Sequence, residues 1–207
     1  TSEAPSDSEI VEIMGYQFAW KLRYPGGDDK LGSYDYRLTM AINPMGVDFT
    51  DQNSLDDFSP GQMYLPKGKP IKFQIRARDV LHSVYSPHFR LKMDAVPGMP
   101  TSFWFTATKT TEEMRLETGN PEFNYEIACA EICGQGHFSM RLIVVVLEPD
   151  QYKKWKSEQQ SIIQREPDLM RFVPDNLKEL ALIKSGLEKS PKANENINSV
   201  NEVSASM

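Results

Sequence analysis

The chain has only two cysteines, and both lie in the segment CAEICGQGHFSM, residues 129–140. Cys129 and Cys133 share this segment with His137 and Met140, so thiol, imidazole and thioether groups stand close together in the sequence. These are the donor types that soft transition metals such as copper prefer. Two intervening glycines allow the backbone to double back, which would turn the four side chains toward one point.

Three other interpretations compete with a copper site that uses both sulfurs. A disulfide between Cys129 and Cys133 suits an oxidising compartment but leaves His137 and Met140 unexplained. Structural zinc accepts two thiolates and an imidazole, but a thioether is a poor zinc ligand and no fourth Cys or His lies nearby. A mononuclear blue-copper site uses one cysteine. The surplus cysteine favours two thiolates that bridge two copper ions, each of which also takes one imidazole and one weak axial donor.

A site of this kind needs a second histidine, and the chain has three histidines in all. His82 follows the alternating segment IKFQIRARDVL, where a ligand would project from the rim of a sheet. His88 lies six residues further on, in SPHF, and an ordinary loop histidine is its expected role. We therefore expect His82 to be the second imidazole ligand.

Composition limits the classes of partner. The 207 residues carry 23 Lys and Arg against 29 Asp and Glu, a net charge of -6. This balance argues against nucleic acid and would steer a basic protein partner toward the chain, although a mild negative charge also serves solubility alone. No run approaches the roughly 18 apolar residues that cross a bilayer.

Period-two alternation recurs through the first 147 residues and predicts half-buried strands. Turns rich in Gly, Pro and Asn separate these segments, and no long helical pattern lies between them. The arrangement predicts an antiparallel β-sandwich or barrel. The clearest predicted strands cover residues 9–14, 16–24, 34–42, 71–77, 101–106 and 141–147.

The pattern changes at Pro149. Asp150 is expected to cap a helix through YKKWKSEQQSII, and a second helix is expected after Asp175. The polar segment 190–207 is expected to be disordered, or ordered only against a partner. The side chains of the first helix that are expected to face the sandwich are Tyr152, Trp155 and Ile162.

The segments ARDVLHSVYSPHFRLKMDAVPG and CAEICGQGHFSM together closely resemble subunit II of the haem–copper cytochrome c oxidases. The resemblance extends over residues 9–157, and its CxExCxxxHxxM pattern with an upstream VLHS is highly specific. It implies an all-β, cupredoxin-like Greek-key sandwich or barrel with a C-terminal helical extension, which holds a dinuclear copper centre called CuA. The expected organisation is a polar lead-in over 1–8, the cupredoxin domain over 9–148, the helical extension over 149–189 and the tail over 190–207.

The resemblance also assigns a role to each donor. Both cysteines would bridge the two copper ions. His82 and Met140 would complete one ion, while His137 and the backbone carbonyl of Glu131 would complete the other. The side chain of Glu131 matches a family position that contributes to a magnesium site shared with the catalytic subunit.

The implied function is electron transfer. The domain would accept electrons from a cytochrome c, soluble or tethered, and pass them to haem in the catalytic subunit I, where oxygen is reduced to water. The expected location is the periplasmic face of the bacterial cytoplasmic membrane, in preference to the mitochondrial intermembrane space. A preceding membrane hairpin and contacts with other oxidase subunits are expected as well.

One position departs from the family. Where the family usually has the tryptophan that receives electrons from cytochrome c, this sequence has Phe18, in GYQFAW. Trp20 keeps the second aromatic position, although a buried core side chain is its expected role. Phe18 and Trp20 are the two candidates for receiving electrons, and the route or the donor is expected to differ from the family's usual one.

Two other functions stay open. The CuA domain of a nitrous oxide reductase shares the metal loop, but the segments KMDAVPG and YKKW favour the oxidase. A cupredoxin-like interaction module would keep a disulfide or zinc in place of copper. Quinol-oxidising relatives lack these ligands, so the complete ligand set favours a cytochrome donor.

Overall fold

The computed structural model describes residues 3–188, which form two β-sheets and a helical C-terminal segment. The nine strands of this part of the chain are β1 Glu9–Tyr16, β2 Ala19–Arg23, β3 Met63–Pro66, β4 Pro70–Ala77, β5 His82–Ser86, β6 Leu91–Ala95, β7 Thr101–Thr106, β8 Tyr125–Cys129 and β9 Arg141–Leu147. Its four α-helices are α1 Thr111–Thr118, α2 Pro149–Ser157, α3 Ile162–Arg165 and α4 Lys178–Lys184. None of these helices combines the length and the apolar character that a membrane span requires.

The strand order is β2-β1-β4-β7 in one sheet and β3-β9-β8-β5-β6 in the other. The predicted all-β sandwich with a helical extension is confirmed. The prediction of a purely antiparallel arrangement is wrong, because β1 runs parallel to β4 and β3 runs parallel to β9. Long connections join both parallel pairs, as parallel neighbours require, and local alternation does not reveal such pairings.

The core lies between the two sheets. Strand β4 shows how the alternating pattern builds it, because Ile71, Phe73 and Ile75 are fully buried while Lys72 and Gln74 remain half-exposed. Each fully buried side chain of this size contributes roughly 1.5–3 kcal/mol to folding. Trp20 is buried in the same core, as its position in the sequence suggested.

The predicted strand over residues 34–42 is wrong. The chain forms a short 3-10 turn, Tyr36–Leu38, and the side chain of Asp35 accepts a hydrogen bond from the backbone N–H of Arg37 at 2.9 Å. Local bonds of this kind compete with strand pairing. Tyr36 is 79% exposed, and of this segment Ile42 alone is partly buried against the second core described below.

Helix α1 was not expected from the sequence. It begins with a capping box, in which Thr110 Oγ1 accepts from the backbone N–H of Glu113 and the Glu113 carboxylate accepts from the backbone N–H of Thr110. The T-x-x-E spacing was a readable signal for this helix start. Its weak amphipathic pattern explains why the periodicity did not reveal it.

The helical extension packs on the sandwich. Glu148, not the predicted Asp150, precedes the first turn of α2, and Pro149 occupies the first helical position, where a missing N–H costs nothing. Tyr152 is buried and donates to Glu9 Oε1 at 2.9 Å, and Trp155 stacks on Tyr64. The helix expected after Asp175 is present as a short 3-10 turn followed by α4. The predicted tail, 190–207, lies outside the described residues.

Part of this extension packs with residues 43–61 in a second, smaller core. This segment is an acid-rich loop that contains Asp48, Asp51, Asp56 and Asp57. Ile162, expected to face the sandwich, packs against this cluster. Burial of shared apolar side chains therefore ties the loop and the C-terminal segment together on the outer face of the β1 sheet. The buried members of the cluster are Met14, Met45, Val47, Phe49, Leu55, Ile163, Leu169, Val173 and Ala181.

A buried ion network lies beside this second core. Arg23 Nε and Arg76 Nε each donate to the carboxylate of Glu12 at 2.6 Å, and Arg23 Nη1 donates to Asp57 Oδ2 at 2.9 Å. Burial by itself would raise the pKa of Glu12, but the two guanidinium groups outweigh it and hold that pKa below its ordinary value. The acid-rich loop thus supplies a structural carboxylate to a network of four side chains.

Candidate metal centre

The cysteine loop connects two paired strands. Cys129 ends β8, and the chain returns along β9 after Met140, with Ala128 paired to Arg141. The backbone N–H of Cys129 donates to the carbonyl of Met140 at 3.1 Å, which closes the loop at its base. The antiparallel ladder therefore holds both ends of the loop at one end of the sandwich.

His82 reaches the same end from a different part of the chain. It is the first residue of β5, and β5 pairs with β8 so that Val84 lies opposite Cys129. His82 is fully buried, and its Nδ1 lies 3.9 Å from Cys129 Sγ. Strand pairing thus brings together two residues that are distant in the sequence.

The two sulfurs are not bonded to each other. Cys129 Sγ and Cys133 Sγ lie 4.0 Å apart as free thiols, whereas a disulfide requires about 2.05 Å. Cys133 Sγ lies 3.7 Å from His137 Nδ1 and 3.5 Å from Met140 Sδ. Cys129 Sγ lies 3.1 Å from the carbonyl oxygen of Glu131. All six predicted donors therefore meet at one place.

This arrangement fits bound metal. The ligand atoms of His82, Cys129 and Cys133 all lie within 4.8 Å of one another. Metal–thiolate bonds are about 2.3 Å long, so two sulfurs 4.0 Å apart are close enough to share an ion on either side of the line between them. Two thiols, two imidazoles and a thioether form a soft donor set that suits copper. Burial and the neighbouring thiol raise the pKa of Cys133 to about 11, and a coordinating metal would displace that proton.

Asp79 orients His82 and was not identified from the sequence. His82 Nε2 lies 2.9 Å from Asp79 Oδ1, and because a carboxylate only accepts, Nε2 donates and Nδ1 is left free to face the sulfurs. Burial would raise the pKa of Asp79, but hydrogen bonds from Gln17 and His82 outweigh it and keep the pKa low. The D-x-x-H spacing was the available signal.

The turn between β1 and β2 covers the cysteine loop. A Cβ added at Gly134 or Gly136 would lie 2.8 Å or 2.4 Å from atoms of the Phe18 ring. Phe18 is 38% exposed, so its ring contacts the metal loop on one side and solvent on the other. Trp20 is 8% exposed and packs edge-on against His82 with 6.0 Å between ring centroids.

We expect Gly136→Ala to destabilise the metal-free protein by about 1–3 kcal/mol, because the new methyl group would overlap the base of the Phe18 ring. Urea denaturation measures this loss, and Phe18→Gly should relieve most of it in the double variant, whereas alanine would keep the Phe18 Cβ 2.8 Å from the added methyl group. Gly61→Ala is the matched control, since nothing lies within 4 Å of its added Cβ. Equal losses in the two single variants would contradict the predicted contact.

Two other expectations concern His88 and Glu131. His88 lies beyond the opposite end of β5 from His82, exposed, and packs edge-on against Phe123 and Tyr125. The side chain of Glu131 is exposed. Among residues 3–188, the His82, Cys129 and Cys133 group is the one set of three or more His, Cys, Asp or Glu side chains with metal-binding spacing. The magnesium site expected at Glu131 gains no support from this arrangement.

Comparison with known proteins places the chain in a family. The model of the cytochrome c oxidase subunit II periplasmic domain matches residues 10–147. The "Alternative cytochrome c oxidase subunit 2" of Bradyrhizobium diazoefficiens is 40% identical over 159 residues, which cover 76% of this chain and 53% of that relative. The "Cytochrome c oxidase subunit 2" of Thermostichus vulcanus is 32% identical over 153 residues, which cover 74% and 34%.

A solved structure is similar as well. The periplasmic domain of subunit II of cytochrome oxidase from Bradyrhizobium japonicum aligns with a TM-score of 0.49 and 23% identity, over 74% of this chain and 94% of that one. The chain spans about half the length, or less, of the two curated relatives. From the family model and the 40% identical relative, the chain belongs to the family of cytochrome c oxidase subunit II, whose periplasmic domain matches residues 10–147.

Proposed function

We propose that the chain is an electron-transfer domain that holds a dinuclear copper centre, accepts electrons from a cytochrome c and passes them to haem in the catalytic subunit of an oxidase. The observation that carries the proposal is a pair of unbonded thiols 4.0 Å apart, with two imidazoles, one thioether and one carbonyl beside them. Membership of the subunit II family supports it.

Each donor has a distinct task in this proposal. Cys129 and Cys133 would be the donors shared by both ions, His82 and Met140 would be further donors to one ion, and His137 with the Glu131 carbonyl would be further donors to the other. The copper pair, when bound, supplies a one-electron reservoir shared between two ions. The protein keeps water from the inner donors, because His82 and Met140 are at most 1% exposed. Paired strands hold the ligands at both ends of the loop. This limits the movement of the ligands when the centre gains or loses an electron.

Electrons enter most directly at Phe18 in this proposal. Its ring is partly exposed and lies against the backbone of the metal loop. For a donor that touches Phe18, only this side chain would separate the donor from the loop that contains Cys133. Trp20 is buried against His82 and serves the packing of that ligand. The acidic chain, with its net charge of -6, would attract a basic cytochrome.

The wider assembly belongs to the same proposal. The chain would act at the periplasmic face of a bacterial membrane, as part of a longer anchored subunit that binds the catalytic subunit I and other oxidase subunits. The predicted units, 9–148 for the copper domain and 149–189 for the helical extension, would both belong to this outer part.

Copper reconstitution tests the proposal. The wild-type protein should bind about two copper ions per chain and give a purple colour with an electron paramagnetic resonance signal delocalised over both ions. A signal from one copper ion, or bound zinc with silent spectra, would contradict the dinuclear centre. If the copper pair binds but takes up no electrons from reduced cytochrome c, the proposal that a cytochrome c is the electron donor would be contradicted.

The two upstream histidines should behave differently in this experiment. His88→Ala should leave the dinuclear signal intact, since His88 lies beyond the opposite end of β5 and packs edge-on against Phe123 and Tyr125. His82→Ala should lose or localise the signal, because Nδ1 faces Cys129 Sγ at 3.9 Å. The opposite result would mean that the ligand histidine has been wrongly chosen.

Met140→Leu should keep both copper ions and change the reduction potential. The thioether is a weak axial donor, and leucine fills nearly the same buried volume, so the main loss is a tuning interaction and not an anchor. A redox titration, monitored by visible absorption, measures the shift in reduction potential. Loss of one copper ion from this variant would show that the Met140 sulfur anchors the metal.

A further inference from the structure

Gln17 connects two segments of the chain that meet at the metal centre. Its side-chain Nε2 donates to the backbone carbonyl of Cys133 at 2.6 Å, across 116 positions of sequence. Its backbone N–H donates to Asp79 Oδ2 at 2.9 Å, across 62 positions. One residue of the β1–β2 turn thus touches the cysteine loop with its side chain and the segment before His82 with its backbone.

Asp79 carries the second contact on to a ligand. While Oδ2 accepts from Gln17, Oδ1 accepts from His82 Nε2 at 2.9 Å and from the backbone N–H of Val80 at 2.8 Å. The carboxylate is therefore held from three directions. A continuous hydrogen-bonded path leads from the carbonyl of Cys133 through Gln17 and Asp79 to the ring of His82.

The neighbouring residue adds a steric contact to these bonds. The ring of Phe18 fills the space above Gly134 and Gly136, where any side chain on the loop would overlap it. The turn therefore covers the outer side of the loop, with Gln17 bonded at Cys133 and Phe18 packed over the next residues. The loop has no other hydrogen bond from a side chain outside it to a backbone atom of residues 130–139 among the described contacts.

We propose that Gln17 is a positioning residue, which sets the distance between the Cys133 loop and the His82 imidazole. The proposal rests on the function proposed above, in which both groups bind the same copper pair. A ligand's hydrogen-bonded partners commonly change metal affinity by about 10- to 100-fold when they are removed. Gln17 acts on the peptide of Cys133 and, through Asp79, on the ring of His82. Its loss therefore alters the distance between these two ligands.

Gln17→Met tests the side-chain contact, because methionine keeps the length and volume of glutamine and removes the donor. Gln135→Met is the matched control, since Gln135 lies on the same loop, is exposed, and has no hydrogen bond among the described residues. Metal-free protein is treated with iodoacetamide and the alkylation of both cysteines is timed. Copper-loaded protein is then titrated with a chelator and its reduction potential is measured.

We expect Gln17→Met to speed alkylation of the buried Cys133 thiol by roughly 3- to 10-fold, since losing one hydrogen bond opens the loop by about that factor. Copper affinity should fall about 10-fold or more and the potential should shift, while Gln135→Met matches the wild type in all three measurements. Unchanged alkylation in Gln17→Met would overturn the proposal. Faster alkylation with an unchanged potential would also overturn it, because Gln17 would then support the loop without positioning a ligand.

The outcomes also separate this inference from the proposed function. If the wild-type protein fails to form the dinuclear signal, the proposed function fails. The alkylation rates of the metal-free variants still decide whether Gln17 holds the loop. If the wild type forms the signal and Gln17→Met behaves like Gln135→Met, the proposed function stands and the role of Gln17 is rejected.

Discussion

Cys129→Ser and Cys133→Ser are each expected to abolish the delocalised copper signal. A serine hydroxyl is a hard donor that keeps its proton at neutral pH, so it does not replace a thiolate bridge between soft metals. Copper content should fall from about two ions per chain to one or none, as measured by atomic absorption alongside paramagnetic resonance. The chain has no third cysteine that would take over the bridge.

The serine variants also need evidence that they fold. Cys129 ends a paired strand and Cys133 is buried, but serine differs from cysteine by one atom, so circular dichroism of the metal-free variants should match the wild type. A delocalised two-copper spectrum in either folded variant would reject the thiolate bridge. Retention of one localised copper ion in a folded variant agrees with it.

Glu12→Ala is expected to lower the free energy of unfolding by about 3–5 kcal/mol, because it leaves two buried guanidinium groups without their shared carboxylate. Urea denaturation measures the loss. Glu126→Ala is the matched control: Glu126 pairs with Arg141 on the surface, and removing an exposed pair costs at most about 1 kcal/mol. Similar losses in the two variants would show that the buried network contributes no more than a surface pair.

The contribution of Glu12 also depends on pH in a definite direction. Its pKa is below the ordinary value of 4.5 in the folded protein, so the folded state favours the ionised carboxylate. The associated stability is present above about pH 4.5 and is lost as the pH falls through the folded pKa. The difference in unfolding free energy between wild type and Glu12→Ala should therefore shrink in acid. A difference that grows below pH 4.5 would contradict this sign.

Much of the fold was readable because burial has a local signature. Strands β4 and β9 show the period of two that a half-buried strand requires. Strands β4, β7 and β9 all lie where the pattern predicted them. Residues 34–42 show the same alternation and form turns instead, because Asp35 bonds to its own neighbouring backbone. Alternation reports which residues are apolar, and it does not report whether a partner strand is present.

The parallel pairings could not be predicted in this way. Strand β1 lies beside β4 and β3 lies beside β9, although each pair is separated by a long stretch of chain. The choice of neighbour depends on how all nine described strands share one core. No single segment carries that information, and the antiparallel prediction followed from the short strands, their turns and the lack of a long helical pattern between them.

The chemistry of the candidate site is evident from one loop, which carries two thiols, an imidazole and a thioether. Ligands on a short connection between paired strands are neighbours in any fold that contains that connection. The packing of the whole domain was needed to bring His82 to that loop, to turn its Nδ1 inward through Asp79 and to place Gln17 and Phe18 over the glycines. These contacts join positions up to 116 residues apart, and only the packing of the two sheets decides which distant side chains meet.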